Sequence, residues 1–288
     1  MSTRSYSSRS YLVTGLDVYA SLAEAVRTHW REYLMEAAEV GLLMLSICVA
    51  GTLIYSRNSP VERLPLSTPE RAALMGVMVA TATYLLIRSP FGRRTGAHLN
   101  PAITVAYLWL GRIHRWDAVN YVVFQFAGGL AGVLLAHLML GEGLSAPPVQ
   151  YVVTLPGVYG RSVAFVAEFL LAGLMMGIVL FATNHRKLAR FSALPVALLT
   201  VLYYVLGPSI SGFSVNPART FSSAFFAWVW HGVWIYFAAP CLGMVTAATI
   251  YVRSQGPGRV YCAKVFHDLE TPCPFPCRFP ELFEQGEE

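Results

Sequence analysis

Residues 95–104 read TGAHLNPAIT and residues 211–220 read SGFSVNPART. Each stretch contains Asn-Pro-Ala and runs into a short apolar segment, NPAITVAYLWL at 100–110 and NPARTFSSAFF at 216–226. Asn is among the best helix N-caps, Pro is favoured at the first helical position, and Ala has the highest helix propensity. Asn100-Pro101-Ala102 and Asn216-Pro217-Ala218 are therefore both helix starts. A helix of about 11 residues rises only some 16 Å, half of a bilayer core.

The chain around them is long and apolar. Of its 288 residues 55% are hydrophobic and 13% charged, against roughly 25% charged in an average soluble domain. Mean hydropathy is +0.50. These values exclude a disordered or collagen-like chain and almost any water-soluble enzyme. Apolar stretches at 33–55, 70–91, 118–140, 162–184, 191–208 and 231–252 are each of the length that crosses a bilayer. The fifth is the shortest and ends at Gly207-Pro208. Each half-span follows the second long stretch of its half. The chain thus reads as two copies of span, span, half-span, span, at 33–140 and 162–252, joined by the Gly/Pro-rich stretch 141–161. Three full spans per copy make the second copy enter from the opposite side. Inverted repeats with interrupted helices in matching positions point to a permeation site at the membrane midplane.

The net charge of +5 follows membrane topology. With a cytoplasmic N-terminus, the inner segments hold Arg4, Arg9, Arg27 and Arg31, then Arg88, Arg93, Arg94, Arg112 and Arg115. Arg186, Lys187, Arg190, Arg253, Arg259, Lys264 and Arg278 follow on the same side. Only Arg57, Arg63, Arg71, Arg161 and Arg219 of the 21 basic residues remain outside. Positive charge marks the inner face, so both termini are expected in the cytoplasm, and no nucleic-acid partner is needed to explain the charge. Residues 1–11 are polar and Ser/Arg-rich, expected as a disordered part of an N-terminal tail over 1–32, with no cleavable signal evident.

A helix start at membrane depth must line a cavity or be buried in protein, because lipid cannot satisfy its free N–H groups. Inverted copies bring the two starts nose to nose. Each N-terminus carries roughly +0.5 of an elementary charge, so the fields add at one place. There the Asn100 and Asn216 amides can donate to a passing water or hydroxyl oxygen, while a cation or a hopping proton meets a barrier. Arg219 follows the second tripeptide; an arginine at this depth is costly to bury and functional by default. Its planar fork offers donors, and its fixed charge repels cations.

These segments resemble the signature of the aquaporin and glycerol-facilitator (major intrinsic protein) superfamily, over about residues 33–252. The resemblance implies an all-α membrane hourglass of six helices plus two re-entrant half-helices, one pore per subunit and a homotetramer. It implies a multi-pass protein of the plasma membrane that needs no cofactor for transport and catalyses no reaction. The matching arginine forms the family's selectivity filter. Counting from the two asparagines places the other filter positions at Ala80, Tyr204 and Phe213. This set matches neither the pattern of strict water channels (Phe, His, small, Arg) nor that of glycerol channels (Trp, Gly, Phe, Arg). Thr220, Ala224 and the Tyr236-Phe237 pair lean toward water, whereas Phe213 offers an apolar wall to a polyol. Water is the expected solute, with glycerol or other small neutral solutes as the alternative. An ion-coupled transporter is the less favoured rival, and a structural membrane protein with a closed pore is another.

By the same resemblance Glu36 and Glu168 brace the loops before the half-helices; Glu39, one turn from Glu36, competes for the first of these roles. His98 is expected as a structural hydrogen-bond partner and Gln125 as an interior polar contact. Gly128, Gly129 and Gly132 allow close helix approach, and Trp30, Trp116, Trp230 and Trp234 anchor the interfaces. The C-terminal tail, 253–288, is Pro-rich and carries Cys262, His267, Cys273 and Cys277. Three thiols and an imidazole can hold zinc or another thiophilic metal, but the spacing matches no standard finger. An unstructured tail with free thiols is the competing reading. Cys-ended tails are a loose point of resemblance to some bacterial members.

Overall fold

The computed structural model describes residues 21–57 and 59–284. Arg4, Arg9 and the rest of 1–11 lie outside the described residues. Helix α1 spans Leu22–Tyr55, α2 Thr68–Arg88, α3 Pro90–Thr95, α4 Pro101–Trp109 and α5 Arg115–Leu140. A short α6 at Glu142–Ser145 leads into the connector between the copies. The second copy contains α7 Arg161–Thr183, α8 Ala193–Leu206, α9 Pro217–Ala227 and α10 Val233–Gln255. Among the described residues there is no strand.

Five helices (α1, α2, α5, α7 and α10) are long and apolar enough to cross a membrane. The sixth, α8, has 14 residues and rises about 21 Å, which accords with the short fifth stretch of the sequence. The first helix begins at Leu22, upstream of the apolar run at 33–55, and is interrupted at His29, whose φ of −121° and ψ of 19° are not helical. The imidazole Nδ1 lies 3.0 Å from Asp117 Oδ1, so the extension is secured to α5. At the start of α2 the Glu70 carboxylate accepts the Ser67 N–H at 2.7 Å, satisfying one of the donors that a helix start exposes.

Polarity is inverted relative to a soluble domain. Leu85, Leu138, Leu198 and Ile250 are 60%, 74%, 62% and 62% exposed, whereas Glu36, Glu168, Gln125 and Arg219 are buried. An apolar rim around a polar interior fits hydrocarbon as the surrounding solvent.

The two copies pair internally in the same way: α1 packs on α5, and α7 packs on α10. A Cβ on Gly128 would stand 2.0 Å from the Ala37 carbonyl oxygen, and one on Gly132 2.2 Å from that of Gly41. The α1–α5 backbones therefore touch at positions where only glycine fits. Gly243 plays the equivalent part in the second copy, where a Cβ would come 2.1 Å from the Phe169 carbonyl. The copies join through α2 against α8, while α4 reaches α10 and α5 reaches α9. These cross-contacts carry α4 and α9 into the middle of the bundle.

Candidate functional site

The half-helices α4 and α9 begin at the two Asn-Pro-Ala tripeptides. Asn100 and Asn216 are extended N-caps. Asn100 Oδ1 accepts the Ala102 N–H at 2.8 Å; Asn216 Oδ1 accepts those of Ala218 and Arg219 at 3.1 and 3.3 Å. The amide nitrogens cross between the copies. Asn100 Nδ2 donates to the Val215 carbonyl and Asn216 Nδ2 to the Leu99 carbonyl, both at 2.8 Å. This reciprocal pair joins the two helix starts nose to nose. An amide nitrogen has two hydrogens, and each of these bonds occupies one, so each asparagine keeps a donor for the cavity that both line.

The loops ahead of the asparagines repeat one backbone pattern. Gly96, Ala97 and Leu99 have φ of 90°, 51° and 56°, and Gly212, Phe213 and Val215 have φ of 80°, 51° and 54°. A left-handed conformation costs a residue with a Cβ roughly 1–2 kcal/mol, so four residues are held against their preference. Buried carboxylates supply the restraint. Glu168 Oε1 accepts Ser211 Oγ at 2.7 Å and the Ser214 N–H at 3.0 Å, and Oε2 accepts the Val215 N–H at 2.6 Å. In the first copy Glu36 Oε1 accepts the Leu99 N–H at 2.6 Å and Gln125 Nε2 at 2.8 Å. Glu39 Oε2 accepts Thr95 Oγ1 at 2.7 Å. The work of Glu168 is thus divided between Glu36, on the residue before the asparagine, and Glu39, at the start of the loop. His98 bonds Thr104 Oγ1 at 2.9 Å through Nδ1 and the Ala263 carbonyl at 2.6 Å through Nε2. A carbonyl accepts only, so Nε2 carries the proton.

A cavity of about 100 Å³ runs beside these groups, with room for several water molecules. Its walls are mainly apolar (Leu43, Ile47, Val79, Ile87, Ile103, Met175, Val196), and its polar groups come from Thr83, His98, Asn100, Thr200, Tyr204, Ser214, Asn216 and Arg219. Of the four counted filter positions, Tyr204, Phe213 and Arg219 line this cavity. The Tyr204 and Phe213 rings meet edge to face, with centroids 4.9 Å apart. Arg219 is buried, and its Nη1 has no hydrogen-bond partner among the described residues. Ala80 is buried on α2, and the α2 residues lining the cavity are Val79, Thr83 and Ile87.

The C-terminal segment is folded. Val260, Tyr261, Ala263 and Lys264 are buried, and Val265 lines the cavity. The Val265 N–H donates to the Gly96 carbonyl at 2.8 Å, Ser192 Oγ to the Val265 carbonyl at 2.7 Å, and the Phe275 ring stacks on His98 at 5.5 Å. Cys262, His267, Cys273 and Cys277 come together, their ligand atoms all within 4.8 Å of one another. Hydrogen bonds with Cys262 and Cys273, and then with His267, hold the Cys277 thiol well below its ordinary pKa, while burial pushes that of Cys262 up.

The expectations drawn from the residues miss the loop-holding role of two tyrosines, one of which, Tyr236, is read only as part of an aromatic pair leaning toward water. Tyr121 donates to the Thr95 carbonyl at 2.8 Å and Tyr236 to the Ser211 carbonyl at 2.6 Å, so each pins its loop at the same point. Thr95 and Ser211 stand at equal distance before the two asparagines, a signal that could have identified them. No local signal places Val265 in the cavity wall, because its partners lie some 70 to 170 residues away.

The family model described as Major intrinsic protein matches residues 23–251. Nodulin-26 from Glycine max is 30% identical over 218 residues, covering 75% of each chain. Aquaporin Z from Bradyrhizobium diazoefficiens is 26% identical over 229 residues, covering 77% of this chain and 92% of that one. Among solved structures, the aquaglyceroporin from Plasmodium falciparum has a TM-score of 0.64 at 19% identity, over 80% of this chain and 98% of that one; a likeness at that identity speaks to the fold. With the paired half-helices and the match over most of its length, the chain belongs to the major intrinsic protein family of membrane channels.

Proposed function

We propose that the chain is a passive channel for water that turns back ions and protons. The observation carrying this reading is the reciprocal Asn100–Val215 and Asn216–Leu99 hydrogen bonding. It fixes two helix N-termini against each other and leaves one donor on each asparagine. A water molecule whose oxygen accepts both donors has its hydrogens turned outward, away from the donors. That orientation breaks the chain of like-oriented hydrogen bonds a hopping proton requires, and the two positive helix ends oppose any cation. Arg219 adds a fixed positive charge and an unpartnered Nη1 donor at the Tyr204–Phe213 constriction. Leu43, Ile47, Val79 and Ile103 bind water weakly, so passage is not slowed by wall contacts.

Glycerol is the second reading, favoured by one feature. The α2 side of the cavity presents Val79, Thr83 and Ile87 without an aromatic, which leaves width beside the Phe213 ring for a carbon backbone. Of the 21 basic residues, 16 fall in the segments on the N-terminal side of the spans, and this supports an orientation with both termini in the cytoplasm; the plasma membrane is the location the family resemblance implies. The exposed apolar flanks are compatible with a homotetramer. Stopped-flow osmotic swelling of proteoliposomes with water, glycerol and urea, measured side by side, tests the reading. Water permeability well above that of empty liposomes is expected, with glycerol and urea close to the lipid value. Equal acceleration of glycerol would move the assignment to a solute facilitator.

A further inference from the structure

The Cys262, His267, Cys273 and Cys277 side chains take no part in the channel described above. We propose that they bind one thiophilic divalent cation of the zinc class, and that this ion fastens the 260–279 segment across the mouth of the pore.

Three observations carry the proposal. The first is geometric. The four ligand atoms lie within 4.8 Å of one another, with Cys262 Sγ 3.4 Å from Cys273 Sγ and His267 Nε2 3.1 Å from Cys277 Sγ. Around a tetrahedral ion with S and N bonds of about 2.3 and 2.0 Å, ligand atoms stand roughly 3.5–3.8 Å apart. Closing the set needs side-chain shifts of about 1 Å or less, with no movement of the fold. The imidazole is already oriented: His267 Nδ1 donates to the Asp268 carbonyl at 2.5 Å, which leaves Nε2, on the side of the thiols, as the nitrogen that can bind the metal. Metal-bound histidines are usually fixed through their second nitrogen in this way.

The second observation is a charge. Lys264 is 1% exposed and its ammonium donates to the Arg93 and Pro272 carbonyls, yet it forms no ion pair among the described residues. A buried cation without a counter-charge is costly. Three thiolates and a neutral imidazole on a divalent ion carry a net charge of −1, which offsets the ammonium; the protons still held by the thiols leave to solvent as the metal binds.

The third is the fold of the segment. Between Pro257–Arg259 and Glu281–Glu284 the chain has no helix or strand, yet every residue of 260–267 is buried. A short irregular piece of chain has little core of its own and is commonly stapled by a metal. The staple here closes a loop whose Ala263 carbonyl bonds His98 and whose Val265 forms part of the cavity wall. Metal occupancy is thereby linked to the integrity of one pore mouth.

The full-length protein, purified in detergent with reductant and stripped by chelation, is titrated with Co²⁺ and with Zn²⁺. One metal per chain is expected, with the intense visible bands of tetrahedral cobalt and thiolate-to-cobalt charge transfer. Cys273→Ser and Cys277→Ser should weaken binding by at least about 100-fold, whereas Cys241→Ser, outside the cluster, should leave it unchanged. Hydrogen exchange across 260–279 should slow at least tenfold on loading. Well below one metal per chain, an octahedral cobalt spectrum, equal binding by the Cys273→Ser and wild-type chains, a Cys262–Cys273 disulfide persisting under reductant, or loading that leaves exchange unchanged would each overturn the proposal. If either serine variant fails to fold, the wild-type cobalt spectrum and exchange rates decide alone. None of these measurements reads permeability, so their outcome and that of the channel reading are separable.

Discussion

Replacing Glu168 with Gln keeps the shape of the side chain and removes half of what it does. The carboxylate accepts three hydrogen bonds, two on Oε1 and one on Oε2. The amide oxygen of Gln can keep the Ser211 and Ser214 pair, but its Nε2 cannot accept, so the Val215 N–H is left facing another donor. An unsatisfied buried donor costs about 1–3 kcal/mol. The two remaining bonds lose their charge assistance, another 1 kcal/mol or so each. The total is roughly 3–5 kcal/mol. On the other side stand Phe213 and Val215, held at φ of 51° and 54° at a cost of roughly 1–2 kcal/mol each. Without the brace the loop can relieve that strain by turning the Val215 carbonyl away, which breaks the bond from Asn100 Nδ2. Every 1.4 kcal/mol shifts such an equilibrium tenfold, so water permeability per folded channel should fall at least tenfold, with a lowered thermal inactivation temperature. Stopped-flow swelling of proteoliposomes with matched protein content, together with a thermal scan in detergent, measures both. Permeability within about twofold of wild type and an unmoved inactivation temperature would refute the bracing argument.

Phe213→Ala removes the ring that meets Tyr204 at 4.9 Å; glycerol permeability should rise relative to water by severalfold in paired swelling assays, and an unchanged ratio would remove Phe213 from the constriction. Asn216→Ala deletes the cap on Ala218 and Arg219 and the tie to Leu99. A lost cap costs about 0.5–2 kcal/mol, and water flux should drop by more than the stability loss explains when normalised to folded protein. Gly128→Ala forces a methyl to within 2.0 Å of the Ala37 carbonyl; separating α1 from α5 should destabilise by at least about 1–3 kcal/mol, seen as lower yield of monodisperse protein and earlier thermal inactivation.

The half-helices were legible because their code is local. An N-cap, a proline at the first helical position and a helix-forming alanine specify a start within three residues, and the same three at 100 and 216 made the repeat visible. The apolar runs likewise revealed the long helices, since length and hydropathy are written along the chain. Other features depend on tertiary contact. Glu36 and Glu39 lie one turn apart, and nothing in their spacing says that one reaches the Leu99 N–H and the other Thr95 Oγ1. The helical extension of α1 to Leu22 rests on polar residues such as Glu24 and Arg27, which hydropathy excludes from a span. Counting from Asn100 puts Ala80 on α2, whose residues Val79, Thr83 and Ile87 line the cavity; which side of α2 meets the cavity follows from its packing on α8 and is not written in the count. The tail looked irregular because its order comes from partners in the channel, Gly96, His98 and Ser192, rather than from any periodicity of its own.

The claim that two opposed helix starts admit water and reject charge is tested most directly by measuring water and proton flux on the same proteoliposomes. Osmotic shrinkage followed by light scattering gives the first, and an entrapped pH dye under an imposed proton gradient gives the second. The account requires water permeability at least tenfold above that of protein-free liposomes, with a proton leak indistinguishable from theirs. Water flux no faster than lipid alone, or a proton leak that rises in step with water flux, would contradict it.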